Sequence, residues 1–261
     1  MLVFSAITPH TPLLISGVGK EHTVKLTATI NALKKMEGDF YVSLPETLII
    51  ISPHGPANEK SFVLNFSPKY KGNFGEFGDL ATKLTANGDN ALSYKIKENL
   101  ETKTSLQLTT IEQLDYSFLA PLYFLCGHRK DIKIVPISSC GLSLEDHFKF
   151  GQALAEKISA ETKRVAVVVS AETSTKLTKD SSNGYAVGAK KFDQKFIDLI
   201  KQKSCKEIMT VDEKQLEKMG CLEYKAMFVL FGILSENNCR PKLLSYEYPF
   251  GTGHLTMEFG I

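Results

Sequence analysis

The sequence has no tryptophan, no Cys-x-x-Cys pair and almost no net charge. Its five cysteines (Cys126, Cys140, Cys205, Cys221, Cys239) are odd in number and far apart. That spacing argues against a disulfide framework or a structural zinc site and suits a reducing compartment. Basic residues number 31 and acidic ones 29, a net charge of +2, and the lysines are scattered. Nothing electrostatic therefore points to nucleic acid. Apolar runs stop well short of the roughly 20 residues a membrane span requires. The first residues enter an apolar run directly, with no basic segment or small-residue cleavage site before it. A cytoplasmic protein is expected. No Pro/Gly/Ser-rich linker and no internal repeat divides the chain, and 43% hydrophobic with 23% charged residues is an ordinary globular balance. One domain over residues 1–261 is expected. Gly72, Gly75 and Gly78 stand between Tyr70, Phe74 and Phe77. They lack the spacing and the strand-to-helix setting of a dinucleotide fingerprint, and read as a loop packed by its aromatics.

The organising stretch is Thr47-Leu-Ile-Ile-Ile-Ser-Pro-His54-Gly-Pro56. Apolar β-branched residues run from Leu48 without alternation, the mark of a strand buried on both faces. Pro53 cannot donate to a ladder, so the strand stops and delivers His54 just past its carboxyl end. The run Leu2–Ile7 does the same with Thr8-Pro9-His10. Ligands of open α/β sheets collect outside the carboxyl ends of the strands. Two imidazoles placed there are positioned to share one metal ion.

Around these two strands the chain reads as alternating strands and helices. Helices are expected over Thr23–Met36, Asp79–Glu101 with a break at Asn87-Gly88-Asp89, and Leu144–Ala160 capped by Ser143. Pro121 is tolerable in the first turn of a helix that follows Leu114. Further helices are expected over Ala189–Lys201, Asp212–Met219 and Leu222–Ser235. Ser61–Ser67 reads as a strand with one wet face, Leu106–Ile111 as a short strand, and Asp131–Ser138 and Arg164–Val169 as buried strands. Lys242–Tyr248 and His254–Phe259 read as a closing hairpin. The fold class is α/β, with a largely parallel or mixed central sheet flanked by helices.

A third metal ligand has to come from elsewhere. Glu223 opens an apolar helix after Gly220 and is the leading candidate; Cys221 beside it is softer and would suit zinc. Glu247, Glu172 and Asp115 are the other carboxylates in loop-like settings. His22, His128 and His147 read as surface residues and His254 as structural. Tyr116 and Tyr248 read as core rings.

Three motifs, Ile7-Thr-Pro-His10-Thr-Pro-Leu-Leu14, Ile49-Ile-Ile-Ser-Pro-His54-Gly55 and Glu223-Tyr-Lys-Ala-Met-Phe-Val-Leu-Phe-Gly232, resemble the class III extradiol ring-cleavage dioxygenase β-subunit superfamily, which includes the Memo-like proteins. The resemblance runs over essentially the whole chain. It implies Fe(II) held by His10, His54 and Glu223, with a catecholic substrate and O₂ sharing the open positions of the ion. The departures are specific. Tyr116 stands where the superfamily has one active-site histidine, and Thr175 where it has the acid/base histidine. A threonine hydroxyl cannot exchange a proton near neutrality as an imidazole does, and losing such a group costs about 10²–10⁴-fold in rate. Tyr116 or Glu172 would have to assist. Two readings follow: an iron-dependent extradiol dioxygenase, or a Memo-like metal-, ligand- or partner-binding protein without that activity. Exposed edge strands and the apolar run after Glu223 suit a homodimer.

Overall fold

A computed structural model describes residues 1–260 apart from 57, 204 and 222, and the side chains of all of these except 205 and 206. In chain order the elements begin with β1 (Leu2–Thr8), α1 (Ser16–Gly19), α2 (Thr27–Val42), β2 (Thr47–Ser52), β3 (Phe62–Asn65), β4 (Lys69–Phe74) and β5 (Asp79–Gly88). They continue with α3 (Asn90–Leu100), β6 (Leu106–Thr109), α4 (Tyr116–Leu125), β7 (Lys133–Ser138), α5 (Leu144–Ala160) and β8 (Val165–Ser170). The last are α6 (Ala189–Lys201), α7 (Cys205–Ile208), α8 (Glu213–Met219), α9 (Tyr224–Leu234), β9 (Arg240–Glu247) and β10 (His254–Gly260).

The unbroken apolar runs form the middle of one mixed sheet ordered β4-β5-β7-β2-β8-β1-β10-β9. β7, β2, β8 and β1 are mutually parallel, and β10 and β9 close one side as an antiparallel pair. Their side chains alternate between two cores. Ile49, Ile51, Val167 and Val169 meet α5, α6 and α9, whereas Leu48, Ile50, Ala166 and Val168 meet α2 and α4. Burial on both faces is what removes the polar/apolar alternation from these strands. α5 and α9 cross so closely that a Cβ at Gly151 or Gly232 would strike the backbone carbonyl of Val229 or Phe148.

Several sequence expectations are corrected. The first half of Asp79–Glu101 is not helix: β5 pairs antiparallel with β4, and α3 starts only after Asp89, whose side chain accepts from the Leu92 N–H at 3.1 Å. The residues read as an aromatic loop are thus partly strand, held by pairing that no local pattern announces. Tyr70 and Phe74 are buried, but Phe77 stays at the surface. β3 has no wet face, since it lies inside the sheet between β6 and β7. α2 begins later and runs longer than expected, after a 3-10 segment that leaves Val24 exposed. Pro121 falls in the second turn of α4 rather than the first. The expected helix start at Leu222 lies outside the described residues, and the helix runs from Tyr224. Among the described residues no helix is long and apolar enough to cross a membrane.

Candidate metal centre

The carboxyl ends of β1, β2 and β8 lie side by side, with β8 in the middle. His10 leaves β1, His54 leaves β2, and Glu172 leaves β8 between them. Glu223, at the N-cap of α9, faces both imidazoles. Its Oε1 lies 3.3 Å from His54 Nε2 and its Oε2 lies 3.6 Å from His10 Nε2. One donor atom from each of these three residues falls within 4.8 Å of the others, the group of His, Cys, Asp and Glu atoms that converges among the described residues. Cys221 and Glu247 do not join it. The Cys221 thiol is buried 3.9 Å from Asp193, and burial pushes its pKa far up. Glu247 accepts from the Thr29 N–H at the start of α2. Asp115 caps α4 by accepting from the N–H and the hydroxyl of Ser117.

The protonation of His10 follows from a chain of hydrogen bonds that starts at a proline. Pro121 has no N–H, so the Ser117 carbonyl one helical turn earlier has no helical donor. The Ser170 hydroxyl donates to that carbonyl at 2.6 Å. Its single proton is thereby used, so toward His10 Nδ1, 3.2 Å away, Ser170 Oγ acts as acceptor. His10 carries its proton on Nδ1 and presents a bare Nε2 to the cluster, as a metal-binding imidazole must. His54 is held through its backbone: its N–H donates to Ser52 Oγ and its carbonyl accepts from Ser138 Oγ. Gly55 turns the chain away with φ +97, where a Cβ would press on Phe118. The Glu223 hydrogen bond raises the His54 pKa above that of an ordinary imidazole, against the lowering effect of burial.

Glu172 is close to the cluster but turned inward. Its Oε1 accepts from the N–H groups of His10 and Thr11 at 3.1 and 2.9 Å, and its Oε2 pairs with His254 Nδ1 at 2.6 Å. Burial alone would raise its pKa, yet the charge and hydrogen bonds of His254 and the contacts of His10 hold it below the usual carboxylate range. His254 is raised correspondingly: burial lowers it and the Glu172 carboxylate overrides this. The Glu172 N–H donates to Glu223 Oε2, so one loop orients two of the three converging residues. The loop is itself anchored on buried Asp193. That carboxylate accepts from Thr173 Oγ1, the Ser174 N–H, Tyr224 OH and Tyr246 OH. Burial pushes Asp193 up despite these donors.

Of the two residues expected to stand at histidine positions, Tyr116 reaches the cluster and Thr175 is otherwise engaged. The Tyr116 ring packs against His10 and His54 with centroids 5.6 and 5.5 Å away, and against Phe77 at 5.1 Å. Burial pushes its phenol up to about 12. The Thr175 hydroxyl donates to the Gly220 carbonyl at 3.1 Å. A cavity of about 400 Å³ is walled by Pro53, Cys140, Cys221 and Lys225, and by none of the three converging residues.

Ser170 and Asp193 went unrecognised in the sequence and carry no signal there, whereas His254, read as structural, is the residue that holds Glu172. His147, read as a surface residue, is fully buried, its Nδ1–H donating to the Ser143 carbonyl and its Nε2 accepting from the Cys140 N–H. His22 and His128 are exposed, as read.

A family model described as the catalytic LigB subunit of aromatic ring-opening dioxygenase matches residues 5–257. The protein CA_C1420 of Clostridium acetobutylicum is 25% identical over 97% of the chain. The chain spans 56% of that relative's length. The crystal structure of the uncharacterized protein JW3007 from Escherichia coli superposes with a TM-score of 0.64 at 14% identity, covering 99% of this chain and 100% of the other. That likeness shows the fold.

Proposed function

The chain belongs to the family of the catalytic LigB subunit of aromatic ring-opening dioxygenase, and on that premise we propose that it binds one divalent metal ion, Fe(II) foremost, through His10, His54 and Glu223 and opens catecholic rings with O₂. The observation that carries this reading is the convergence of the three donor atoms within 4.8 Å. Two neutral imidazoles and a carboxylate are the facial donor set of non-haem iron. The bare Nε2 of His10 fits it; a cysteine-containing zinc set would need Cys221, whose thiol faces Asp193 instead.

A bound Fe(II) would leave coordination positions free for both catechol oxygens and O₂, and supply the redox chemistry of ring opening. The chain's own part is to hold the donors and shape the approach. Ser170 keeps the proton of His10 on Nδ1, and the Glu172 N–H and Asp193 set the carboxylate of Glu223. Glu172 is a positioning residue in this reading, since both its oxygens are occupied by protein donors. Tyr116, neutral at pH 7, is a hydrogen-bond donor to a bound ligand but a poor base.

A second reading has its own observation. With a phenol at one histidine position and the Thr175 hydroxyl spent on Gly220 at the other, the site has no imidazole base free of the donor set, apart from buried His254. A metal- or ligand-binding protein without ring cleavage fits that arrangement. Metal analysis of anaerobically purified protein beside His10→Ala and His54→Ala, followed by oxygen uptake with a panel of catechols, separates the two. Stoichiometric iron lost in both variants, with uptake, supports the dioxygenase. Bound metal without uptake across the panel leaves the second reading. A wild type that takes up no metal sinks the dioxygenase and metal binding alike and leaves only the binding of another ligand, and zinc in place of iron identifies the ion.

A further inference from the structure

The face of β10 that looks toward α2 carries a row of polar atoms with no hydrogen-bond partner among the described residues. His254 Nε2, Thr256 Oγ1 and Glu258 Oε1 occupy alternate positions of the strand, and all three are buried and unpaired. Ser245 Oγ, directly across from Thr256 on β9, is unpaired too. So is Thr8 Oγ1 on β1, one residue beyond the Ile7–Met257 pair. Thr29 Oγ1 joins from α2, whose backbone at that residue is tied to Glu247, the partner of His254 across the hairpin.

α2 lies along the whole row. Thr29 is fixed at the His254 end through Glu247, and Asp39 at the other end through Lys242, which also bridges to Glu258. Ten helical residues span about 15 Å and four strand steps about 14 Å, so helix and row are matched in length. Six buried, unpaired polar groups in one layer are too many for a dry core, in which nearly all such groups find partners. Alternate strand positions are about 7 Å apart, a separation that one or two hydrogen-bonded waters can bridge.

We propose that a file of ordered water molecules runs between α2 and the β9–β10 edge, from the Glu258–Lys242 rim to the imidazole of His254, and keeps that imidazole in proton exchange with solvent. The rim is open to water through Lys242, whose side chain is half exposed. At the inner end the other nitrogen of His254 holds Glu172, and Glu172, Glu247 and Glu223 are the carboxylates whose charge acts on the ring. The use of the file by chemistry at the metal centre rests on the proposed function; the file itself does not.

Both decisive measurements are made on metal-free full-length protein, so an inactive or metal-free centre leaves them intact. The first is a crystal structure together with water-to-ring nuclear Overhauser contacts at His254. Density within hydrogen-bond distance of Thr256, Ser245 and His254, and water contacts to the ring protons, support the file. A dry row overturns it. The second is the unfolding midpoint of Thr256→Val and Ser245→Ala. If the hydroxyls bind water, each loses a partner and the midpoint falls. A midpoint that rises or stays level in both, as when an unpaired buried hydroxyl is removed, overturns the proposal.

Discussion

Replacing Ser170 by alanine tests the link between a proline in α4 and His10, the proposed metal ligand just past β1. The hydroxyl is donor to Ser117 O at 2.6 Å and acceptor for His10 Nδ1 at 3.2 Å, and both groups sit where water does not reach. Losing it orphans a buried carbonyl that Pro121 has already deprived of its helical partner, and a buried ring N–H. Stability should fall by about 1–3 kcal/mol. The larger consequence is on the donor set. Without an acceptor at Nδ1, the proton of His10 is free to sit on Nε2, the nitrogen that faces Glu223. Outer-shell partners of this kind are worth about 10–100-fold in metal affinity, or about 1.4–2.7 kcal/mol. The assay is an anaerobic titration against a competing chelator, with the unfolding midpoint measured in parallel. Ser170→Thr, which keeps the hydroxyl, should restore most of the affinity. Unchanged affinity in Ser170→Ala, in a protein that folds, would refute the tautomer argument.

Three further outcomes are expected. His147 is buried and its pKa is lowered from 6.5 to about 4, chiefly by burial. Between those values the unfolded chain takes up a proton that the folded one does not, so stability should drop by about 3 kcal/mol as pH falls from 6.5 to 4. His147→Gln should flatten that part of the urea-unfolding profile, and an equally steep profile would contradict the assignment. Asp193→Ala leaves four donors from Thr173, Ser174, Tyr224 and Tyr246 unpaired. It should cost about 3 kcal/mol or more and weaken metal binding through Glu223, with partial rescue in Asp193→Asn; calorimetry and chelator competition read the two effects. Gly232→Ala gains helix propensity of about 1 kcal/mol but drives a methyl into the Phe148 carbonyl. A net loss of about 1–2 kcal/mol is expected, and a raised melting temperature would show that the two helices can part without cost.

The comparison of sequence with structure divides along one line. Local rules located the strands β1, β2, β7 and β8 and the helices α5, α6 and α8, because burial on both faces and helix capping leave marks on adjacent residues. The Ser143 cap of α5 and the Asp212 and Gly220 ends of α8 were legible for that reason, and the structure completes the cap as a box with Asp146. Where two local readings competed, the choice failed. β5 was taken for helix although it pairs with β4, the strand just before it, and its exposure alternates with period two.

The same division holds in the site. Pro-His at the ends of two parallel strands was visible in the chain, since a proline that stops a strand fixes where the next side chain is delivered. Glu223 was visible as a carboxylate opening an apolar helix. The sequence could not determine that β8 lies between β1 and β2, and this order is what brings residues 10, 54, 172 and 223 within hydrogen-bond reach. Nor could it determine that Ser170 decides the tautomer of His10, that Glu172 faces inward to His254, or that α2 covers a row of unpaired hydroxyls. Hydrogen-bond direction depends on where each acceptor's other lone pairs and each donor's other partners lie, and those partners are 53 to 162 residues away along the chain. Only the closed sheet, with its helices in place, assigns them.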